Sequence, residues 1–179
     1  MSTSNQLVPN RECGECSVCC ISLRIDQNEL KKPADVRCHH LSENGCGIYP
    51  ERPSVCRNWY CGWRMIPSIG NEWRPDKSQI LIKLSGNRAV LQPLKAEHAK
   101  KLLDEAPLTL MAELMNVGFE VETSIPTKPG FCNALMTIND KLEKAVNERD
   151  LNAARNTMKS IIFRSRNSNT LPEPPFDEV

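Results

Sequence analysis

The chain has 179 residues, a length that suits one medium domain or a small module joined to a second one. Hydrophobic residues make up 40% and never run long enough for a transmembrane helix, while 23 Lys plus Arg against 22 Asp plus Glu leave no field that would point to nucleic acid or a membrane surface. The opening MSTSNQLVPNRE has no basic start followed by an apolar stretch, so a secretory signal is not expected.

Cysteine is the outlier. Of nine, eight fall between Cys13 and Cys61: Cys13, Cys16, Cys19, Cys20, Cys38, Cys46, Cys56 and Cys61. Such density means either a disulfide framework or a metal site. Without an export route the thiols are expected to stay reduced, in the cytoplasm. The run Cys13-Gly-Glu-Cys16-Ser-Val-Cys19-Cys20 also packs its cysteines too closely for independent, well-formed bridges. The expectation is therefore a metal site with these eight thiolates as ligands. Zinc asks four ligands to converge on one point, usually from two separate C-x2-4-C knuckles. The C-x2-C-x2-C spacing is more typical of an iron–sulfur cubane, whose separate irons accept closely spaced sulfurs. Iron–sulfur is slightly favoured over zinc on this ground. Adjacent Cys19 and Cys20 diverge, so they serve different centres, or one serves and one stands by. Eight thiolates suit two four-cysteine sites or one cluster with thiols in reserve. His39 and His40 follow Cys38, and a solvated or hydrogen-bonding pair is favoured over a mixed site.

Further along, Asn44-Gly45 marks a tight turn that presents Cys46. Pro53 is placed to open a short helix carrying Cys56 and Arg57. Tyr49, Trp59, Tyr60 and Trp63 lie in the same stretch, either shielding thiolates from water or forming a small core. Arg52 and Arg57 are candidates to offset thiolate charge through charge-assisted hydrogen bonds.

These residues resemble a known family. The pattern C-x2-C-x2-C-C, then Cys38, then Gly45-Cys46-x-Ile48-Tyr49-x2-Arg52-Pro53-x2-Cys56-Arg57-x3-Cys61 is similar to the CxxCxxCC cysteine-cluster family, also called the YkgJ-type zinc- or iron-chelating domain. The likeness covers residues 11–65. It implies the eight cysteines as ligands and leaves Tyr49, Arg52, Pro53 and Arg57 as pattern residues without an assigned role. The same module occurs within flagellin lysine methylases. A metal-dependent group-transfer enzyme or accessory factor is thus one alternative to a plain metal-binding protein, and a zinc-stapled module for a protein partner is another.

Beyond the cysteines, Gln79-Ile80-Leu81-Ile82-Lys83-Leu84 reads as a strand, Ser85-Gly86-Asn87-Arg88 as a hairpin turn, and 89–94 as the return strand. Lys95 to Asp104 has helical spacing, with Pro107 expected to end or kink it. Leu108 to Val117 reads as a second helix closed by Gly118. Phe119 to Ile125 alternates as a half-buried strand does. Helices are expected over Ala134–Asn147 and, after an Asp150 cap, over about 151–164. The tail is polar and reads as disordered. From Asp76 onward Lys plus Arg and Asp plus Glu each number 14, and no phosphate loop, nucleophile elbow or HExxH occurs. His98 reads as a surface histidine and Cys132 as a small buried hydrophobe. The expectation is an α+β fold: a loop-rich, cysteine-ligated module at 11–75, then a segment at 76–165 with a hairpin, a third strand and about four helices, then a disordered tail at 166–179.

Overall fold

The computed structural model describes residues 7–176. The fold is α+β, and the chain divides into two compact units: residues 1–78 with 174–179, and residues 79–173.

The first unit is built from short pieces. Helix α1 (Val18–Ser22) leads into the antiparallel ribbon β1 (Ile25–Gln27) and β2 (Leu30–Lys32). A second ribbon pairs β3 (Leu41–Ser42) with β4 (Gly45–Cys46), Leu41 opposite Cys46. A 3-10 turn at Tyr49–Glu51 precedes α2 (Ser54–Asn58), with Pro53 at its cap, then α3 (Gly62–Met65). A further 3-10 turn, Asn71–Trp73, runs into α4 (Pro75–Ser78). Helices this short cannot sustain themselves in water. The buried aliphatic and aromatic side chains are few, with Val18, Leu30, Trp63, Ile69 and Trp73 the principal ones. Two of the three tryptophans are thus core residues.

Arg11 compensates by fastening the chain. Its guanidinium donates to the carbonyls of Trp63 in α3 and of Ile66 (2.9 Å) and Ile69 just after it, and sits 5.7 Å from the Trp63 ring centroid. A cation at a helix C-terminus meets both the unpaired carbonyls and the negative end of the dipole.

The second unit carries a four-stranded sheet in the order β5-β6-β7-β8. Strands β5 (Ile80–Ser85) and β6 (Arg88–Pro93) form the expected hairpin, with Gly86 at φ +58 in its turn, where a side chain would be strained. A 3-10 helix, Ala96–Leu103, and α5 (Glu105–Asn116) then cross over to β7 (Glu120–Ile125), which pairs parallel to β6. Strand β8 (Ala134–Thr137) returns antiparallel, followed by α6 (Asn139–Asn147) and α7 (Leu151–Arg166). The register places Ile82, Leu91, Thr123 and Met136 in one row across the sheet. Helices α5, α6 and α7 pack against β7, burying Leu142 and Met158 with Ile125.

Five sequence expectations change here. Within the Lys95–Asp104 segment, Ala96–Leu103 is a 3-10 helix that buries Ala99 and Leu102, one turn apart at three residues per turn. Pro107 sits inside the first turn of α5 instead of ending a helix. The first bond back along that helix is Leu108 N–H to Asp104 C=O (3.3 Å), so the missing N–H of Pro107 costs nothing. Residues 134–137 are strand, not helix: Ile125 pairs with Ala134, and the Asn139 carboxamide accepts from Val121 N–H (2.7 Å) and donates to Phe119 C=O (2.9 Å), fixing where α6 begins. The sheet accordingly has a fourth strand. Strand β7 is buried along both faces from Val121 to Ile125, since Arg88 covers Glu122 (2.6 Å) and Asn133 covers Ser124 (3.1 Å).

The tail read as disordered is hydrogen-bonded over much of its described length. Cys132 N–H donates to Leu171 C=O and Glu173 N–H to Gly130 C=O, both at 2.9 Å, and Arg24 lies over the Phe176 ring at 4.1 Å. Paired backbone groups hold a polar, proline-bearing segment that composition alone marks as loose. Residues 177–179 of that tail, and the first six residues of the opening, lie outside the described residues.

Candidate metal centre

All eight clustered cysteines lie in the first unit, each with a free thiol. Cys13 and Cys16 close a turn through Cys16 N–H to Cys13 C=O (2.9 Å). Cys19 and Cys20 are consecutive residues of α1, so the helix aims them about 100° apart. Cys38 N–H bonds to Cys20 C=O (2.9 Å), and Cys38 C=O accepts from Leu41 N–H (3.0 Å), the residue opposite Cys46 in the ribbon. Cys56 rides on α2, and Cys61 caps α3. The Glu29 carboxylate accepts from Ser54 N–H (2.6 Å), tying the β1–β2 turn to the start of α2.

The charges around the thiols follow from burial and from one another. Burial pushes Cys16 up to about 11, and the Asp76 carboxylate adds to the effect. Cys19 is driven upward by the hydrogen bond it donates to Cys20, then by burial. That same bond draws Cys20 down to about 7, with help from the Lys32 ammonium. Burial raises Cys56 and Cys61 as well. Most of these thiols stay neutral when nothing offsets their charge, and a divalent ion reverses that preference outright.

Two cations missed in the sequence reading belong to this region. Lys32 is buried, and its Nζ donates to the carbonyls of Ile21 (2.7 Å), Pro33 (2.7 Å) and Val36 (2.8 Å). Burial lowers its pKa, opposed first by Cys38 and then by Asp35, Cys20 and Cys19. Arg64 places Nη1 3.9 Å from Cys13 Sγ, while its N–H bonds Cys61 C=O (2.9 Å). The only signal for Arg64 was its place three residues after Cys61, and nothing in the sequence marked Lys32.

The hydrogen bonds of the arginines singled out by the sequence go elsewhere than to sulfur, although the Arg52 charge opposes the burial that raises Cys56. Arg52 donates to the carbonyls of Tyr49 (3.0 Å) and Cys56 (3.3 Å) and stacks on the Tyr49 ring at 4.0 Å. It braces the approach to α2 through backbone oxygens in place of sulfur. Arg57 is exposed, and its charge acts on Glu29. Among the aromatics Trp63 is buried and Tyr49 exposed. His39 is exposed and His40 half-buried, their ring centroids 3.8 Å apart. In the second unit Cys132 is half-buried, its Sγ 3.8 Å from Pro172 C=O, and His98 is half-buried with Nδ1 lacking a partner.

Comparison with known proteins bears on this same cysteine-rich character. Over 48 residues the chain is 48% identical to a UPF0153 protein of Pseudomonas aeruginosa. The match covers 23% of this chain and 57% of that relative, so the chain spans less than two thirds of the relative's length. No family model matches the chain, and no solved structure matches it. The partial relative and the cysteine content fit a cysteine-rich metal-binding protein. Among the described residues no helix is long and apolar enough to cross a membrane.

The donor set fits a thiophilic metal: eight sulfurs share one small unit, and a buried Arg64 Nε lacks any partner. The side chains are not drawn together, since among the described residues no three His, Cys, Asp or Glu groups converge closely enough to hold an ion as they stand.

Proposed function

We propose that the chain is a cytoplasmic metal-binding protein whose Cys13, Cys16, Cys19, Cys20, Cys38, Cys46, Cys56 and Cys61 chelate an iron–sulfur cluster or zinc, as the CxxCxxCC resemblance implies. The observation that carries this reading is the gathering of eight free thiols within a unit that buries few aliphatic side chains. Such a unit gains much of its folding free energy from ligation. The C-x2-C-x2-C run favours iron–sulfur, because each sulfur of the run reaches a different iron of a cubane. Bound iron–sulfur would supply one-electron chemistry. The residues of this chain hold the sulfurs in place: Arg52 braces α2, Arg11 fastens α3, and Lys32 and Arg64 bring positive charge to the thiolates.

The test is iron, zinc and acid-labile sulfide per chain, measured on protein prepared without air. Iron with matching sulfide, and a brown colour bleached by dithionite, supports the cluster. Colourless protein that releases zinc to a chelator supports a structural staple for an interaction surface. Cys16→Ser and Cys56→Ser lower metal content, whereas Cys132→Ser leaves it unchanged. Folded, metal-free protein from anoxic cells, or thiols already joined as disulfides, overturns the reading.

A further inference from the structure

We propose that the eight cysteines form two separate four-thiolate centres, Cys13, Cys16, Cys19 and Cys61 in one and Cys20, Cys38, Cys46 and Cys56 in the other, each beside its own cation, Arg64 or Lys32. This inference rests on the metal-binding reading above and divides its ligands.

The backbone makes the division first. Cys13 and Cys16 share a turn, and the Arg64 guanidinium lies 3.9 Å from Cys13 Sγ. The Arg64 backbone N–H closes the first turn of α3 on Cys61 C=O (2.9 Å), which puts Cys61 at the end of the helix that carries this cation. Separately, Cys20 is bonded to Cys38 (2.9 Å), and Cys38 is bonded to Leu41 (3.0 Å), the ribbon partner of Cys46. Cys56 rides on α2, whose Ser54 N–H donates to the Glu29 carboxylate (2.6 Å) in the turn between β1 and the Lys32 strand β2. The seam is the peptide-linked pair Cys19 and Cys20, whose thiols bond each other. Helical geometry turns consecutive side chains to different sides, so one α1 residue can serve each centre.

The cations supply the second argument. A four-thiolate metal centre keeps net negative charge, and a buried anion needs a nearby cation or donor. The buried Lys32 ammonium donates to the carbonyls of Ile21, next in the chain to Cys20, and of Val36, two residues before Cys38. Arg64 stands by the other set, with a buried Nε awaiting an acceptor. One cluster with idle thiols would leave one of these cations beside neutral sulfur.

The experiment is an anoxic titration of the reduced, full-length chain with Co2+, read by thiolate-to-cobalt charge transfer and by the ligand-field bands of tetrahedral cobalt. Two equivalents bind the unsubstituted chain. Cys13→Ser with Cys61→Ser leaves one equivalent, as does Cys38→Ser with Cys56→Ser. The mixed pair, Cys13→Ser with Cys56→Ser, removes both tetrathiolate signals. A single equivalent in the unsubstituted chain overturns the division while leaving metal binding intact. So does the loss of both signals in either same-set variant whose tryptophan emission remains native. No cobalt bound by a folded chain refutes the metal-binding reading itself. The stoichiometry of the unsubstituted chain decides even where a variant does not fold.

Discussion

Replacing Lys32, a residue only 3% exposed, with Met removes its ammonium and leaves three carbonyls without their donor. The Ile21 carbonyl belongs to α1, and those of Pro33 and Val36 line the segment leading to Cys38. A buried acceptor left unsatisfied costs about 1–3 kcal/mol. The low end applies here, because part of this loss is offset: burial already disfavours the charged lysine, and Met retains the apolar stem. The expected net loss is about 3 kcal/mol. With a urea dependence of about 1–3 kcal/mol per molar, the midpoint falls by about 1–3 M. Trp59, Trp63 and Trp73 all lie in the first unit, so tryptophan emission reports on that unit alone. A Lys32→Met midpoint equal to that of the unsubstituted chain, in matched metal-free reducing buffer, refutes the role of the ammonium as a staple for these carbonyls.

Three further expectations concern the second unit. Asp150 accepts from the N–H groups of Asn152 and Ala153, both at 2.9 Å, so Asp150→Ala lowers stability by about 1 kcal/mol in denaturant unfolding followed by circular dichroism, and Asp150→Asn restores most of it. No change in the alanine variant rules out that cap. Arg149 holds φ +55 between α6 and α7, so Arg149→Gly raises stability by about 1 kcal/mol, and a lower melting temperature contradicts the assignment of strain there. Burial keeps the Lys83 pKa below its ordinary 10.5, partly opposed by Glu122. The folded chain therefore releases this proton at a lower pH than the unfolded chain, and it gains stability as pH rises towards 10.5. Melts of the unsubstituted chain and Lys83→Met should diverge in favour of lysine over that window; a constant difference excludes the effect.

What the sequence disclosed was local. The β5–β6 hairpin was legible because turn residues and flanking apolar runs sit side by side, and Asp150 because a cap acts on its next neighbours. The stretch 134–137 was misread because a short apolar run has no period of its own, and only pairing with β7 decides it. The 3-10 form of Ala96–Leu103 needed its neighbours, since i, i+3 spacing serves both helix types. At the candidate centre, spacing made the eight cysteines candidates but did not show the cation beside Cys13. That cation is Arg64, whose position three residues past Cys61 acquires meaning only when α3 forms. Lys32 sits in a charged pair with Lys31 that reads as solvated surface, and folding takes only the second of them inside.

The parallel seam between β6 and β7 sets an order of assembly. The hairpin β5–β6 and the return β7–β8 each need only a short connection, whereas joining Arg88–Leu91 to Glu120–Thr123 requires residues 94–119 to wind into their 3-10 helix and α5 first. Contacts between sequence-distant segments come late because chain entropy must be surrendered before they reward it. Two halves of the sheet thus mature separately and zip along one line. In pulse-labelled exchange during refolding, the amides on that line would be the last of the sheet to resist deuterium.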